Sequence, residues 1–295
     1  MNYVITGSLG NISQPIVTNL LAAGHQVKVI TSNKDRIAAI EALGATAAAG
    51  SVEDPEFLKA AFAGADVVYT MVPPKWDAGD WKAHIGSVGK NYAAAIRANG
   101  IKWVVNLSSI GAHMAEGAGP VSGLHRAENA LNQLEDVNIL HLRPGYFFSN
   151  LLANIGMVKN MGIIGSNNAA GNTMTLSDTS DIAEAATAAL LALDFKGHTV
   201  KYIASDERTP AEIAATLGKA IGNPSLPWVE FTDEQSTGGM VQAGLPQEVA
   251  NNYTEMGAAM RTGTIMEDYA AHKPTTFGKV KLEDFAKVFA AAYKA

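Results

Sequence analysis

Short β-branched runs alternate with longer stretches of helical periodicity through the first half of the chain. The strand-like runs are Tyr3–Thr6, Gln26–Thr31, Thr46–Ala49, Val67–Met71, Trp103–Leu107 and Asn138–Leu142. Between them the stretches Ile12–Ala23, Lys34–Leu43, Pro55–Phe62, Trp81–Asn99 and Val121–Leu134 carry apolar residues at helical spacing. Gly24, Gly44, Gly64 and Gly100 mark four of the helix ends. Strand–helix alternation at this spacing predicts a parallel sheet covered by helices on both faces, the doubly wound arrangement.

Beyond Pro144 the alternation loosens. Helical periodicity persists at Asp178–Leu193, Thr209–Ile221, Gln247–Arg261 and Glu283–Tyr293, with strand-like runs at Thr199–Ile203 and Trp228–Phe231. The pattern therefore predicts an α/β domain over residues 1–150 and a smaller α+β lobe over 151–295, closing over one side of the sheet. Late strands from 173–205 are free to join that sheet. The apolar residues of Met240 to Met260 are expected to be exposed, as a lid or as a contact in a possible homodimer.

A chain of 295 residues with 47% hydrophobic and 17% charged positions suits a folded globular protein. Its net charge of −6 argues against nucleic-acid binding, which needs clustered Lys and Arg. The lack of cysteine excludes disulfides, thiolate metal sites and a cysteine nucleophile. Tyr3-Val4-Ile5 is too short for a signal-peptide core, and Ile182–Leu193 is too short and too polar to span a bilayer. A cytoplasmic protein with no membrane partner is expected.

Gly7-Ser8-Leu9-Gly10-Asn11-Ile12-Ser13 lies between the strand Val4-Ile5-Thr6 and a helix carrying Ile12, Ile16, Val17, Leu20 and Leu21. Where a strand stops and a helix starts almost at once, the free amides and dipole at the helix N-terminus face an anion such as a pyrophosphate. Gly7 and Gly10 would supply the tight turn and close approach, and Ser13, still small, replaces the third glycine. The 28 glycines make such a spacing common by chance, so the strand–loop–helix context carries the argument. A Rossmann-type dinucleotide site follows.

In that fold the end of the second strand meets the adenosine ribose, and a carboxylate there selects NAD. Here the strand ends at Thr31-Ser32-Asn33-Lys34-Asp35-Arg36, with no carboxylate before Asp35. Thr31, Ser32, Asn33 and Lys34 are placed to hold a 2′-phosphate, so NADP(H) is favoured over NAD(H). Helix capping by Ser32 or Asn33 is the other use of these residues.

Thr6-Gly7-Ser8-Leu9-Gly10-Asn11-Ile12 resembles the glycine loop of the NmrA-like proteins, atypical members of the short-chain dehydrogenase superfamily. Phe62-Ala63-Gly64-Ala65-Asp66, Val105 to Ala112, Leu142 to Phe147 and Asp181-Ile182-Ala183 resemble further segments of that family, in order. The resemblance covers roughly the first 195 residues. It implies a C-terminal substrate lobe and either an NAD(P)H-dependent reductase of quinones, dyes or phenolics, or a redox sensor that binds cofactor without turnover.

Ligands in open α/β sheets lie beyond the C-terminal strand ends. That rule gathers Met71, Val72 and Pro73, then Ser108 and Ser109, then Pro144, Gly145 and Tyr146 around the nicotinamide end. Trp76, His113, Tyr146 and Phe147 are near enough to line a pocket for a flat, quinone-like or conjugated aromatic acceptor, and Trp81 serves there or in the core. The superfamily's Tyr-x-x-x-Lys pair is missing: Leu124 stands where the lysine belongs and no tyrosine precedes it. Tyr269 to Lys273 matches the spacing only near the C-terminus, an ordinary coincidence among eight tyrosines.

No residue is therefore assigned as catalytic. The candidates are Ser109, His125 and His113, the histidines because they titrate near neutrality. A structural histidine or a strand-capping serine is the plainer role for each. The missing pair favours a sensor, and the aromatic residues favour a reductase. A sugar-nucleotide epimerase or dehydratase shares the fold but relies on the tyrosine. Histidines and carboxylates do not cluster at metal-ligand spacing, so no metal is expected.

Overall fold

The structure is a computed structural model describing residues 1–295. The first half runs β1 (Asn2–Ile5), α1 (Ser13–Ala22), β2 (Gln26–Thr31), α2 (Ile37–Ala42), β3 (Thr46–Ala49), α3 (Pro55–Ala61), β4 (Val67–Thr70), α4 (Trp81–Asn99), β5 (Trp103–Leu107), α5 (Pro120–Leu131) and β6 (Asn138–Pro144). Then come β7 (Tyr146–Phe147), α6 (Ile155–Met161), β8 (Ile164–Ser166), β9 (Met174–Ser177), α7 (Thr179–Ala192), β10 (His198–Ile203) and β11 (Asp206–Arg208). The chain ends with α8 (Pro210–Ala220), β12 (Trp228–Glu230), α9 (Asp233–Gln242), α10 (Gln247–Thr262), α11 (Glu267–Ala271) and α12 (Leu282–Lys294).

Seven parallel strands form one sheet in the order β10-β6-β5-β4-β1-β2-β3. The expected doubly wound α/β sheet is present. Its central strands read as continuous apolar runs because both faces are covered. Successive residues of one strand serve opposite cores: Ile5, Val105 and Leu142 pack with Val17 and Leu20 of α1 and with Ile182 and Leu190 of α7. Val4, Val68, Val104 and Ile139 pack with Leu58 of α3, Tyr92 and Ile96 of α4, and Leu131 of α5. The winding reverses between β1 and β4, and a crevice opens beyond the strand ends at such a point.

The run expected at Thr199–Ile203 becomes β10, the seventh strand, paired with β6. Elements of the second half missed by periodicity are the short strands β7, β8, β9 and β11, of two to four residues each, and the helices α6, α9 and α11, of seven, ten and five residues. The strands form a three-stranded and, with β12, a two-stranded sheet. Phe148, Leu176, Ile213, Leu217, Phe285 and Phe289 make the core of this region.

The apolar residues of Met240 to Met260 are not an exposed surface. Val249, Ala250 and Ala259 of α10 are buried, Met256 packs on Ala112 and Val121, and Met260 joins the second-half core. Among the large apolar side chains of that segment, only Val241 is exposed. The argument for a self-contact there lapses. No helix is long and apolar enough to cross a membrane.

A buried polar relay crosses the central strands. The Thr70 hydroxyl donates to Asn106 Oδ1 at 2.9 Å, and Asn106 Nδ2 donates to His141 Nδ1 at 3.0 Å. His141 Nε2 in turn donates to Asn132 Oδ1 at 3.0 Å. Burial holds the His141 pKa down, from 6.5 to about 4, so the ring stays neutral in the fold. The unfolded chain binds the proton first as pH falls, and stability present above pH 6.5 is lost towards pH 4. That drop corresponds to about 3 kcal/mol. Urea unfolding at several pH values is expected to show this acid slope, reduced in a His141→Gln variant.

Candidate functional site

The glycine loop leaves β1 through two left-handed residues, Gly7 at φ +89° and Ser8 at φ +56°. A Cβ on Gly7 would lie 2.7 Å from Ser13 Oγ and 3.0 Å from Met71 Cγ, so only glycine fits. Ser13 is accommodated where a third glycine is often found because its hydroxyl points inward and donates to Thr6 O at 2.9 Å. The start of α1 has no side-chain cap and no acidic residue in its first turn. The amides of Leu9, Asn11, Ile12 and Ser13 have no partner in the protein. Helix starts are ordinarily satisfied by a side chain, so this one is built to receive an anion. A dinucleotide pyrophosphate fits the cradle.

The Ser8 hydroxyl donates to Thr31 Oγ1 at 3.0 Å and ties the loop to the end of β2. Thr31 is buried and its oxygen also accepts from the Asn33 amide at 3.2 Å, so it braces the turn. Asn33 caps the next helical turn by accepting from the Asp35 amide at 2.8 Å. Ser32, Lys34 and Arg36 are exposed, and neither cation is in an ion pair.

At the other side of the crevice the Met71 amide donates to Thr6 Oγ1 at 2.9 Å, and the Tyr92 hydroxyl to Met71 O at 2.7 Å. These bonds hold Met71 beneath Gly7, with Val72 and Pro73 half-buried beyond it. Past β5, Ser108 Oγ is buried without a partner, while Ser109 Oγ donates to Ile110 O at 3.0 Å. Past β6, a Cβ on Gly145 would collide with Thr175 O. Its amide donates to Ser177 Oγ at 2.8 Å and Ile203 O at 3.1 Å, pressing the Pro144-Gly145 turn onto β9.

Where these strand ends meet the second half lies a cavity of about 20 Å³, walled by Ile110, Tyr146, Asn168, Thr175, Met260 and Met266 among others. Of the four side chains expected to line an acceptor pocket, Tyr146 is in this wall. Burial pushes its hydroxyl up to about 12, so it is a neutral phenol. Phe147, one position on, points the opposite way and packs on the sheet core, as alternation along a strand requires. Trp76 is 50% exposed in the loop after β4, and neither it nor His113 reaches the cavity wall. Trp81 is core, edge-on to Tyr253.

The proton-donor candidates separate clearly. Both ring nitrogens of His125 are held, Nδ1 by Ala112 O and Nε2 by Asn129 Nδ2, each at 2.8 Å. His113 keeps a buried Nδ1 with no partner. The Tyr269 hydroxyl and Lys273 ammonium both bind the Glu207 carboxylate, at 2.7 and 2.6 Å, so the Tyr-x-x-x-Lys match is a clamp between α11 and β11. No group of three or more histidines and carboxylates is placed to hold a metal. Asn168, Thr175, Met260 and Met266 carried no signal in the sequence, since nothing local marks residues that converge from distant elements.

Residues 7–192 match the family model for NAD(P)H-binding proteins. The chain is 27% identical over 300 residues to an NAD(P)H azoreductase of Xenophilus azovorans, with 99% of each covered. Its fold is shared by an NADPH-dependent quinone oxidoreductase of Escherichia coli complexed with NADPH: TM-score 0.82, 20% identity, 97% of this chain and 99% of that one. The Citrobacter sp. triphenylmethane reductase complexed with NADP(H) gives TM-score 0.82 at 19% identity, over 98% of this chain and 100% of that one. Apart from Thr6, the ordered segments that resemble the NmrA-like proteins, from Thr6 to Ala183, fall inside the matched stretch. With an uncapped glycine-loop helix at the switch point of a doubly wound sheet and a family match over most of its length, the chain belongs to the NAD(P)H-binding family.

Proposed function

We propose that this chain is a reductase that uses NADPH in preference to NADH and delivers hydride to a quinone-like or conjugated aromatic acceptor. The observation that carries this reading is the apolar cavity beyond β5 and β6, walled by Ile110, Tyr146 and methionines. It lies at the strand ends where the fold presents its ligands. The similarity to an azoreductase along the whole chain supports the same class of acceptor.

The free amides of Leu9, Asn11, Ile12 and Ser13 hold the pyrophosphate, and Lys34 with Arg36 holds the 2′-phosphate. Met71, Val72, Pro73, Ser108, Pro144 and Gly145 flank the nicotinamide, which when bound supplies the hydride. The residues of the chain position the acceptor and exclude water. A hydride moves to an extended π-system without a dedicated acid, which accords with Ser109 and His125 being engaged within the protein and α5 carrying no tyrosine.

Two measurements test this. The double change Lys34→Ala/Arg36→Ala is expected to raise the NADPH dissociation constant at least tenfold and leave NADH unchanged, as loss of charge-assisted phosphate contacts of about 1.5–3 kcal/mol requires. An equal loss for both cofactors would overturn the NADPH preference. In the wild type, absorbance at the reduced-cofactor band is expected to decay only when a quinone or azo dye is added. Tight binding without decay across that panel would leave the sensor reading instead.

A further inference from the structure

Ser166-Asn167-Asn168 places two asparagines side by side with opposite fates. Asn167 is engaged: its Nδ2 donates to Asp233 Oδ1 and Thr254 O, both at 2.8 Å, and its backbone carbonyl accepts from Arg261 Nη1 at 2.8 Å. Asn168 is 1% exposed, yet neither its Oδ1 nor its Nδ2 has a partner. Its backbone is pinned, with the amide donating to Ser166 Oγ at 3.0 Å and the carbonyl accepting from Trp228 Nε1 at 3.1 Å. The side chain lies in the wall of the cavity, shielded from bulk water. Thr175 Oγ1, in the same wall, is also buried and sits beside the Tyr269 hydroxyl without a hydrogen bond of normal geometry.

An unpaired buried amide disfavours folding, and native proteins satisfy nearly all of them. Apolar neighbours of similar size would pack there without that penalty. Two buried polar side chains without a normal hydrogen bond in one cavity mark a place where a ligand completes the hydrogen bonding. The other walls include Met174, Met260 and Met266, whose flexible side chains adapt to an incoming planar molecule. The cavity now has room for about one water.

We propose that Asn168 determines acceptor specificity: its Nδ2 donates to a carbonyl oxygen of the acceptor, with the Thr175 hydroxyl as second partner. The preferred acceptors are then quinones or other conjugated carbonyl compounds, ahead of conjugated dyes without a carbonyl. This inference rests on the reductase reading above and names the chemistry of the acceptor end of that site.

The test compares wild type with Asn168→Leu, which keeps the branching and heavy-atom count without the polar groups, and with Asn168→Ser. Steady-state rates are measured with a benzoquinone and with a cationic triarylmethane dye that has no carbonyl, alongside NADPH titration and thermal unfolding. KM for the quinone is expected to rise about tenfold or more in both variants, the worth of one buried hydrogen bond. KM for the dye and NADPH affinity stay within about twofold of wild type, and Asn168→Leu melts no lower than wild type. An unchanged quinone KM in a wild type that does turn over would overturn the assignment of Asn168 and leave the reductase reading standing. So would equal losses with quinone and dye together with a lowered melting temperature, the signature of a residue that only holds a structural water. No turnover by the wild type with either acceptor would overturn both.

Discussion

A Gly10→Trp variant is expected to lose NADPH binding by more than two orders of magnitude while keeping a melting temperature near that of the wild type. Gly10 is exposed, lies outside the left-handed region, and an added Cβ would meet only Gly7 O, at 3.2 Å. That contact is tight, and the exposed loop must give by a few tenths of an ångström to admit a side chain, a far smaller adjustment than Gly7 would need. The indole would cover the amides of Leu9, Asn11 and Ile12, which have no partner within the protein. Losing two charge-assisted hydrogen bonds, at about 1.5–3 kcal/mol each, already exceeds a hundredfold in affinity. Gly7→Val provides the contrast: at φ +89°, with Ser13 Oγ 2.7 Å from the new Cβ, it is expected to lower stability as well as binding. Fluorescence titration with NADPH and thermal unfolding separate the two effects. Wild-type affinity in Gly10→Trp would mean that the cofactor binds elsewhere.

The largest loss of stability is expected at Arg143. Its guanidinium grips Glu128 of α5 with two bonds, Nε to Oε1 at 3.0 Å and Nη2 to Oε2 at 2.6 Å. Nη1 donates to Asp268 Oδ2 at 3.0 Å and to the Tyr202 hydroxyl at 3.1 Å, and that hydroxyl also donates to Asp268. The Arg143 and Glu128 side chains are only 9% and 4% exposed, so water cannot replace a missing partner. Arg143→Met leaves the Glu128 carboxylate buried and unpaired, which costs about 3–5 kcal/mol. Adding Glu128→Leu removes that stranded charge, and the double variant is expected to be more stable than Arg143→Met alone. Urea midpoints at constant m-value measure both. Equal destabilisation of single and double variants would show that packing, and not charge, sets the cost. The residue matters beyond stability because it immediately precedes the Pro144-Gly145 turn at the crevice.

The doubly wound half was legible because its signals are local. Strands buried on both faces read as apolar runs, as in Val67–Thr70, and the helices between them keep one apolar stripe. The loop from Gly7 to Ser13 was equally plain, since a strand end, a tight turn and a helix start must follow one another within a few residues.

Other features depended on distant partners. The sequence left a late strand from 173–205 free to join the main sheet without saying which; β10 is the one that completes it beside β6, because pairing is set across about sixty residues of sequence and not within the strand. Strands of two to four residues, such as β7 and β8, are too short to show a period. Tyr146 and Phe147 looked alike as pocket residues, and strand alternation sent one to the cavity and the other to the core. Likewise His125, Tyr269 and Lys273 carry reactive groups whose roles were decided by Ala112, Asn129 and Glu207. The six strands of the first half, their helices and the phosphate loop follow from periodicity and turn chemistry along contiguous chain. Which polar groups are satisfied and which, like Asn168, are left unpaired emerges on folding, because hydrogen-bond satisfaction is a property of residues brought together from far apart.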